Sequence, residues 1–106
     1  NISTMANNDG KTSTTPCDRP NSKGTVNIST KIVGAGQNIL EVSWSGDRPI
    51  AKFRVSVDGK VLKETTYEDA ARNGTDRIST TSLSASNAIV VDLIDAYGYR
   101  YSYSTN

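Results

Sequence analysis

The residues of this chain best suited to chemistry are its tyrosines and its carboxylates. Four of its five tyrosines fall in Tyr97-Gly98-Tyr99-Arg100-Tyr101-Ser102-Tyr103. Side chains alternate along an extended strand, so Tyr99, Tyr101 and Tyr103 share one face. Turned outward, with Tyr97 and Arg100 beside them, they make an aromatic strip that could stack on sugar rings or meet a protein partner. Turned inward, they complete a core with their hydroxyls at its rim. The need for volume favours the inward choice, because one Phe and one Trp must otherwise fill the interior at native density.

The carboxylates Asp58, Glu68, Asp69, Asp92 and Asp95 could hold calcium if several met at one end of a fold, since that ion takes roughly six to eight oxygens. No Asp-x-Asp-x-Asp loop gathers them. The simpler expectation is that Asp58 and Asp95 serve turns and that Asp92 pairs with an Arg on the adjacent strand, such as Arg100. Two-carboxylate glycosidase chemistry needs a cleft that so short a chain would struggle to build. The chain has no His, which removes His-based triads, His metal ligands and the commonest general base. Its single Cys17 has no His partner and no second Cys, so it reads as a linker thiol or as a bridge to a neighbouring domain. No Gly-rich phosphate loop is present. No cofactor, no metal and no enzymatic activity are expected.

The elements that would position these groups are strands. The 106 residues suffice for one domain with its own core. Twelve basic and eleven acidic residues leave a net charge of +1, which argues against a dedicated nucleic-acid binder. No apolar run is long enough to insert in a membrane. Residues 1–24 are rich in Asn, Ser and Thr and poor in apolar side chains, so they read as a linker or leader that cannot offset its own ordering entropy. The string Thr12-Ser13-Thr14-Thr15-Pro16 has the composition of a stalk between modules.

Residues 25–106 form the expected domain. Val26, Ile28, Thr30 and Ile32 alternate, as do Leu40, Val42 and Trp44, then Phe53, Val55 and Val57, then Ile89, Val91 and Leu93. Ser45-Gly46-Asp47-Arg48-Pro49 reads as a turn. Asp58-Gly59 has the composition of a tight hairpin turn. Thr66 is placed to cap a short helical turn over Tyr67-Glu68-Asp69-Ala70-Ala71-Arg72, with Asn73-Gly74 ending it. Residues 77–83 read as a weak edge strand, and Lys60, Lys63 and Arg77 are charges of the kind that guard an edge. The sum is about seven short antiparallel strands, the pattern of a β-sandwich. Asn1-Ile2-Ser3, Asn27-Ile28-Ser29 and Asn73-Gly74-Thr75 match the glycosylation sequon, in a chain where Asn, Ser and Thr are abundant enough to produce it by chance.

Two stretches resemble a fibronectin type III or bacterial immunoglobulin-like module over roughly residues 25–104. Asn38-Ile39-Leu40-Glu41-Val42-Ser43-Trp44 is similar to the second strand of such modules, which ends in a core Trp. Ala88-Ile89-Val90-Val91-Asp92-Leu93-Ile94-Asp95-Ala96-Tyr97-Gly98 is similar to their penultimate strand and turn. The family often places a corner Tyr just before this strand, where this chain has Asn87 and Ala88. The resemblance implies an all-β, immunoglobulin-like sandwich. It also implies a role in adhesion, spacing or ligand presentation on bacterial surface proteins or beside secreted catalytic domains.

The expected function is a non-catalytic accessory or spacer module of a multidomain secreted or cell-surface protein, bacterial in origin, with a cell-wall enzyme such as a penicillin-binding protein as one setting. The alternative is a carbohydrate- or protein-binding adhesion module using the tyrosine strip or an end loop. The expected partners are the neighbouring domains of a parent protein and, for the alternative, a glycan or protein ligand. The domain by itself is expected to be a monomer.

Overall fold

The structure, a computed structural model, describes residues 19–105. Cys17, the Thr/Ser/Pro string and the Asn1 sequon lie outside the described residues. Where apolar residues alternate, the chain is extended: β1 (Val26–Val33), β2 (Ile39–Val57), β3 (Lys60–Ser79), β4 (Ile89–Asp95) and β5 (Arg100–Ser104). All pairings are antiparallel. The sheet order is β1-β2-β4-β5, with β3 also paired to β2.

The sheet curls because β2 changes neighbours along its length. Residues 39–45 of β2 lie between β1 and residues 73–79 of β3. Residues 52–57 lie between residues 60–66 of β3 and strand β4. Between these halves the register slips at Ser45/Ile50 and again at Ile50/Lys52. The result is an all-β antiparallel fold compatible with a β-sandwich.

Five strands replace the seven expected, and both differences lie at the slip. Ser45-Gly46-Asp47-Arg48-Pro49 does not reverse the chain but makes a bulge within β2. The Asp47 N–H donates to the Thr25 carbonyl at 3.1 Å, and the Asp47 side chain accepts from the Thr25 N–H at 2.8 Å. Pro49, with no N–H to offer a ladder, sits where none is needed, and its carbonyl accepts from Ala96 at 2.8 Å. The expected helical turn over residues 67–72 is strand as well. Four β3 residues, 67–70, loop out between the Lys52↔Thr66 and Ile50↔Ala71 pairs, and Tyr67 is held over Trp44 with ring centroids 5.8 Å apart. Tertiary contact overrides a weak local capping signal. The Asp58-Gly59 turn forms as expected, with φ of 51° and 85°, the two positive values a tight hairpin of this kind requires.

The core gathers Leu40, Val42, Ile50, Phe53, Val55, Val91 and Leu93 from β2 and β4, with Leu83 folded over from the loop after β3. Trp44 is 6% exposed and stacks on Phe53 at 5.7 Å. Its indole lies across the backbone of Gly74, its register partner on β3. A Cβ at that glycine would come within 2.5 Å of Trp44 Cζ2.

Trp44→Ala should therefore destabilise the domain by about 3–5 kcal/mol, enough to unfold a marginal fold. Gly74→Ala should cost about 1–3 kcal/mol by overpacking. Combining Gly74→Ala with Trp44→Phe should cost less than the sum of the two, because the smaller ring vacates the contested space. Urea denaturation midpoints of the four proteins would check this, and strict additivity would show that indole and glycine are not in contact.

Candidate functional site

The tyrosine run is built around a carboxyl group. Asp95 ends β4 and is 2% exposed. Its Oδ1 accepts from the N–H groups of Tyr97 and Tyr99 at 2.8 and 2.9 Å. Its Oδ2 accepts from the Tyr101 hydroxyl at 2.7 Å. Asp95 N–H donates to the Tyr99 carbonyl, and Gly98, at φ 95°, closes the turn with an N–H to the Asp95 carbonyl. One side chain thus ties the β4–β5 turn to the strand that follows. The expectation that Asp95 serves a turn agrees with this geometry.

The strip divides by depth. Tyr101 is 5% exposed and belongs to the core. Tyr99 and Tyr103 are half-buried against it, and Tyr97 is half-buried on the turn. Arg100 and Ser102 alternate outward and are exposed. Burial, reinforced by the hydrogen bond to Asp95, pushes the Tyr101 phenol above its ordinary pKa.

Residues 19–24, read from composition as part of a leader, lie along this strip. Arg19 stands over the Tyr99 ring at 4.3 Å and donates to the Tyr97 carbonyl at 2.8 Å. Lys23 stands over the Tyr101 ring at 4.6 Å and donates to the Arg100 carbonyl. The Tyr99 hydroxyl donates to the Pro20 carbonyl at 2.6 Å, and Gly24 N–H donates to the Tyr101 hydroxyl at 3.0 Å. The signal available in the sequence was the pairing of two cations with two tyrosines, but about eighty residues separate them and nothing local connects the two segments.

The other carboxylates disperse. Asp58 accepts from the Ala88 N–H at 2.8 Å and the Asn87 amide at 2.7 Å, and these bonds hold its carboxyl below the usual range. Asp92 meets an Arg of an adjacent strand, as expected, but that residue is Arg54 and not Arg100. Asp92 accepts from Ser102 at 2.5 Å and faces Arg54 at 3.7 Å. The register explains the correction: Arg54 and Ser102 lie directly opposite Asp92, whereas Arg100 lies opposite Ile94. Glu68 and Asp69 are exposed on the β3 bulge. Among the described residues no three His, Cys, Asp or Glu side chains gather to hold a metal ion. A groove of about 300 Å³ opens beside Trp44, Tyr67 and Asp69. There Lys63 pairs with Asp76 at 2.8 Å. Burial first, and the Asp76 charge second, push the Tyr67 phenol up to about 12. Asn27 and Asn73, which begin the two described sequons, are exposed.

The chain matches no family model, no curated protein and no solved structure.

Asp95→Ala strands two amides and a phenol and should cost about 3 kcal/mol or more. Asp95→Asn should cost clearly less, since its carbonyl oxygen still serves the two amides and its NH₂ can donate to the Tyr101 oxygen. Thermal or urea unfolding would rank them, and equal losses would place the Asp95 role elsewhere. Tyr67 gives a pH test. Its folded pKa is raised, so the stability it contributes is fully present below about pH 10 and is lost as pH rises towards 12. Absorbance titration near 295 nm should show late-titrating tyrosines beside the ordinary ones, and the latest should be lost on Tyr67→Phe and moved modestly down by Asp76→Asn.

Proposed function

We propose that this chain is an immunoglobulin-like sandwich of the fibronectin type III kind that serves as a non-catalytic spacer or accessory module in a secreted or cell-surface protein. The fold assignment is supported by the two long strands. Divided at their bulges, β2 and β3 supply two segments each, which with β1, β4 and β5 make the seven segments of such a sandwich. Segments 39–45 and 73–79 then belong with β1 in one layer, and segments 52–57 and 60–66 with β4 and β5 in the other.

The observation that carries the spacer reading is the position of the two ends of the described chain. Arg19 lies at the β4–β5 turn, bonded to Tyr97. Thr105 lies at the other end of β4, where its N–H donates to the Ile89 carbonyl at 3.0 Å, beside the Asp58 hairpin. The described residues therefore begin at one end of β4 and stop at the other, about 20 Å apart along a seven-residue strand. Such a module adds its own length between whatever it joins. The clasp of residues 19–24 along β5 stiffens the entering segment. An adhesion role through the tyrosine strip draws less support, because Tyr101 is buried and the clasp lies over the rings of Tyr99 and Tyr101.

Two copies joined in tandem, the second starting at Arg19 directly after Thr105, should form an extended particle. Small-angle scattering should give a maximum dimension approaching twice that of one copy. A pair folded back to little more than the single-copy dimension would overturn the spacer reading.

A further inference from the structure

The outer face of the sheet formed by β3, β2, β4 and β5 carries rows of side chains fixed by register. One row reads Glu64, Arg54, Asp92, Ser102, with one cation between two carboxylates and a charge of −1. Arg54 lies between Glu64 at 3.6 Å and Asp92 at 3.7 Å, and Ser102 donates to Asp92. The adjacent row reads Thr66, Lys52, Ile94, Arg100, and its charges are unbalanced. Lys52 and Arg100 are both exposed, and among the described residues neither side chain has an ion-pair partner. The half-buried Ile94 lies between them. Two strand spacings separate the cations, about 10 Å between backbones. Both side chains are long enough to converge above Ile94. The two rows line a concavity of about 320 Å³, a volume within the range of small-ligand sites.

We propose that this concavity binds a carboxylate-bearing saccharide, a uronic-acid unit, with its carboxylate between Lys52 and Arg100 and the apolar face of its ring on Ile94. Three cations, Lys52, Arg54 and Arg100, against two carboxylates, Glu64 and Asp92, leave the concavity with a charge of +1, and Lys52 and Arg100 have no ion-pair partner among the described residues, so the site selects an anion. The apolar floor selects a ligand with an apolar face beside the charge, which a free inorganic anion lacks. An acidic peptide in extended form is disfavoured by position. Lys52 and Ile94 sit on strands paired on both sides, so their backbone groups are already committed to the sheet and cannot take up a peptide main chain. At Lys52 and Ile94 recognition must come from side chains, with the Thr66 hydroxyl available for the sugar's own. This site shares Arg100 with the tyrosine run but lies on the opposite face of β5 from the Tyr101 ring, and it does not rest on the spacer reading.

The test is calorimetric titration of the intact chain, at low ionic strength, with a galacturonic-acid tetramer. Its methyl ester and a tetraglutamate peptide serve as comparisons. The acid should bind saturably. Lys52→Ala and Arg100→Ala, both surface changes whose folding is checked by circular dichroism, should each weaken binding by about fivefold, the upper range for an exposed ion pair. Lys31→Ala, an exposed cation on β1, should leave binding unchanged. The methyl ester should bind at least about tenfold more weakly, as should tetraglutamate. The proposal fails if the acid does not bind, if the ester or the peptide binds as well, or if the two site variants bind like the parent.

Discussion

Strand β2 has to satisfy its backbone on both sides over nineteen residues, and everything else in the fold follows from how it does so. On one side β3 accompanies it along both halves. On the other, β1 pairs with the first half and β4 with the second. The handover requires a slip, and the slip requires residues that tolerate losing the ladder. Gly46, Asp47 and Pro49 meet that need: Gly46 leaves room for the Thr25 carbonyl, Asp47 bonds the start of β1 twice, and Pro49 has no donor to strand. The same slip turns the strand so that Trp44 from one half meets Phe53 from the other. The aromatic core is therefore a consequence of the kink in β2.

A second constraint works at the pole where β4 turns into β5. A carboxyl group with 2% exposure survives in a core only if its oxygens are occupied, and Asp95 is met by three donors. This fixes Tyr101 inward, which in turn sets the alternation that sends Arg100 and Ser102 outward. The Tyr101 hydroxyl also accepts from Gly24, so the buried corner extends to the segment that precedes β1. The placement of the clasp, the depth of the tyrosines and the exposure of Arg100 share one cause.

The surface charges follow a simpler rule. On the outer face the charges of the row containing Asp92 are paired across strands through Arg54, while Lys52 and Arg100 in the next row have no ion-pair partner among the described residues. The long outer edge of β3 carries Lys60, Lys63, Glu64, Arg72 and Arg77, charges that discourage strand addition. Exposed ion pairs of this kind contribute little to stability, so their arrangement bears on what the surface meets more than on how tightly it folds.

The sequence by itself determined the class and most of the core. Period-two alternation marks a face whatever its partner, and it placed Leu40, Val42, Trp44, Phe53, Val55, Val91 and Leu93 inside. The Asp58-Gly59 hairpin was equally legible, because its backbone demands positive φ and few residues supply it. Continuity was decided only by tertiary structure. Ser45-Gly46-Asp47-Arg48-Pro49 has turn composition whether it reverses a chain or bulges a strand, and the choice depends on β1 lying alongside. Residues 67–72 have helical capping, but pairing to β2 at Thr66 and Ala71 and the contact of Tyr67 with Trp44 keep them in the strand. The partner of Asp92 was set by register, which fixes neighbours across strands that no local pattern encodes. The clasp of Arg19 and Lys23 on β5 was invisible for the same reason, since it joins segments nearly eighty residues apart. Alternation along a chain is a local property; which edges meet is a property of the whole.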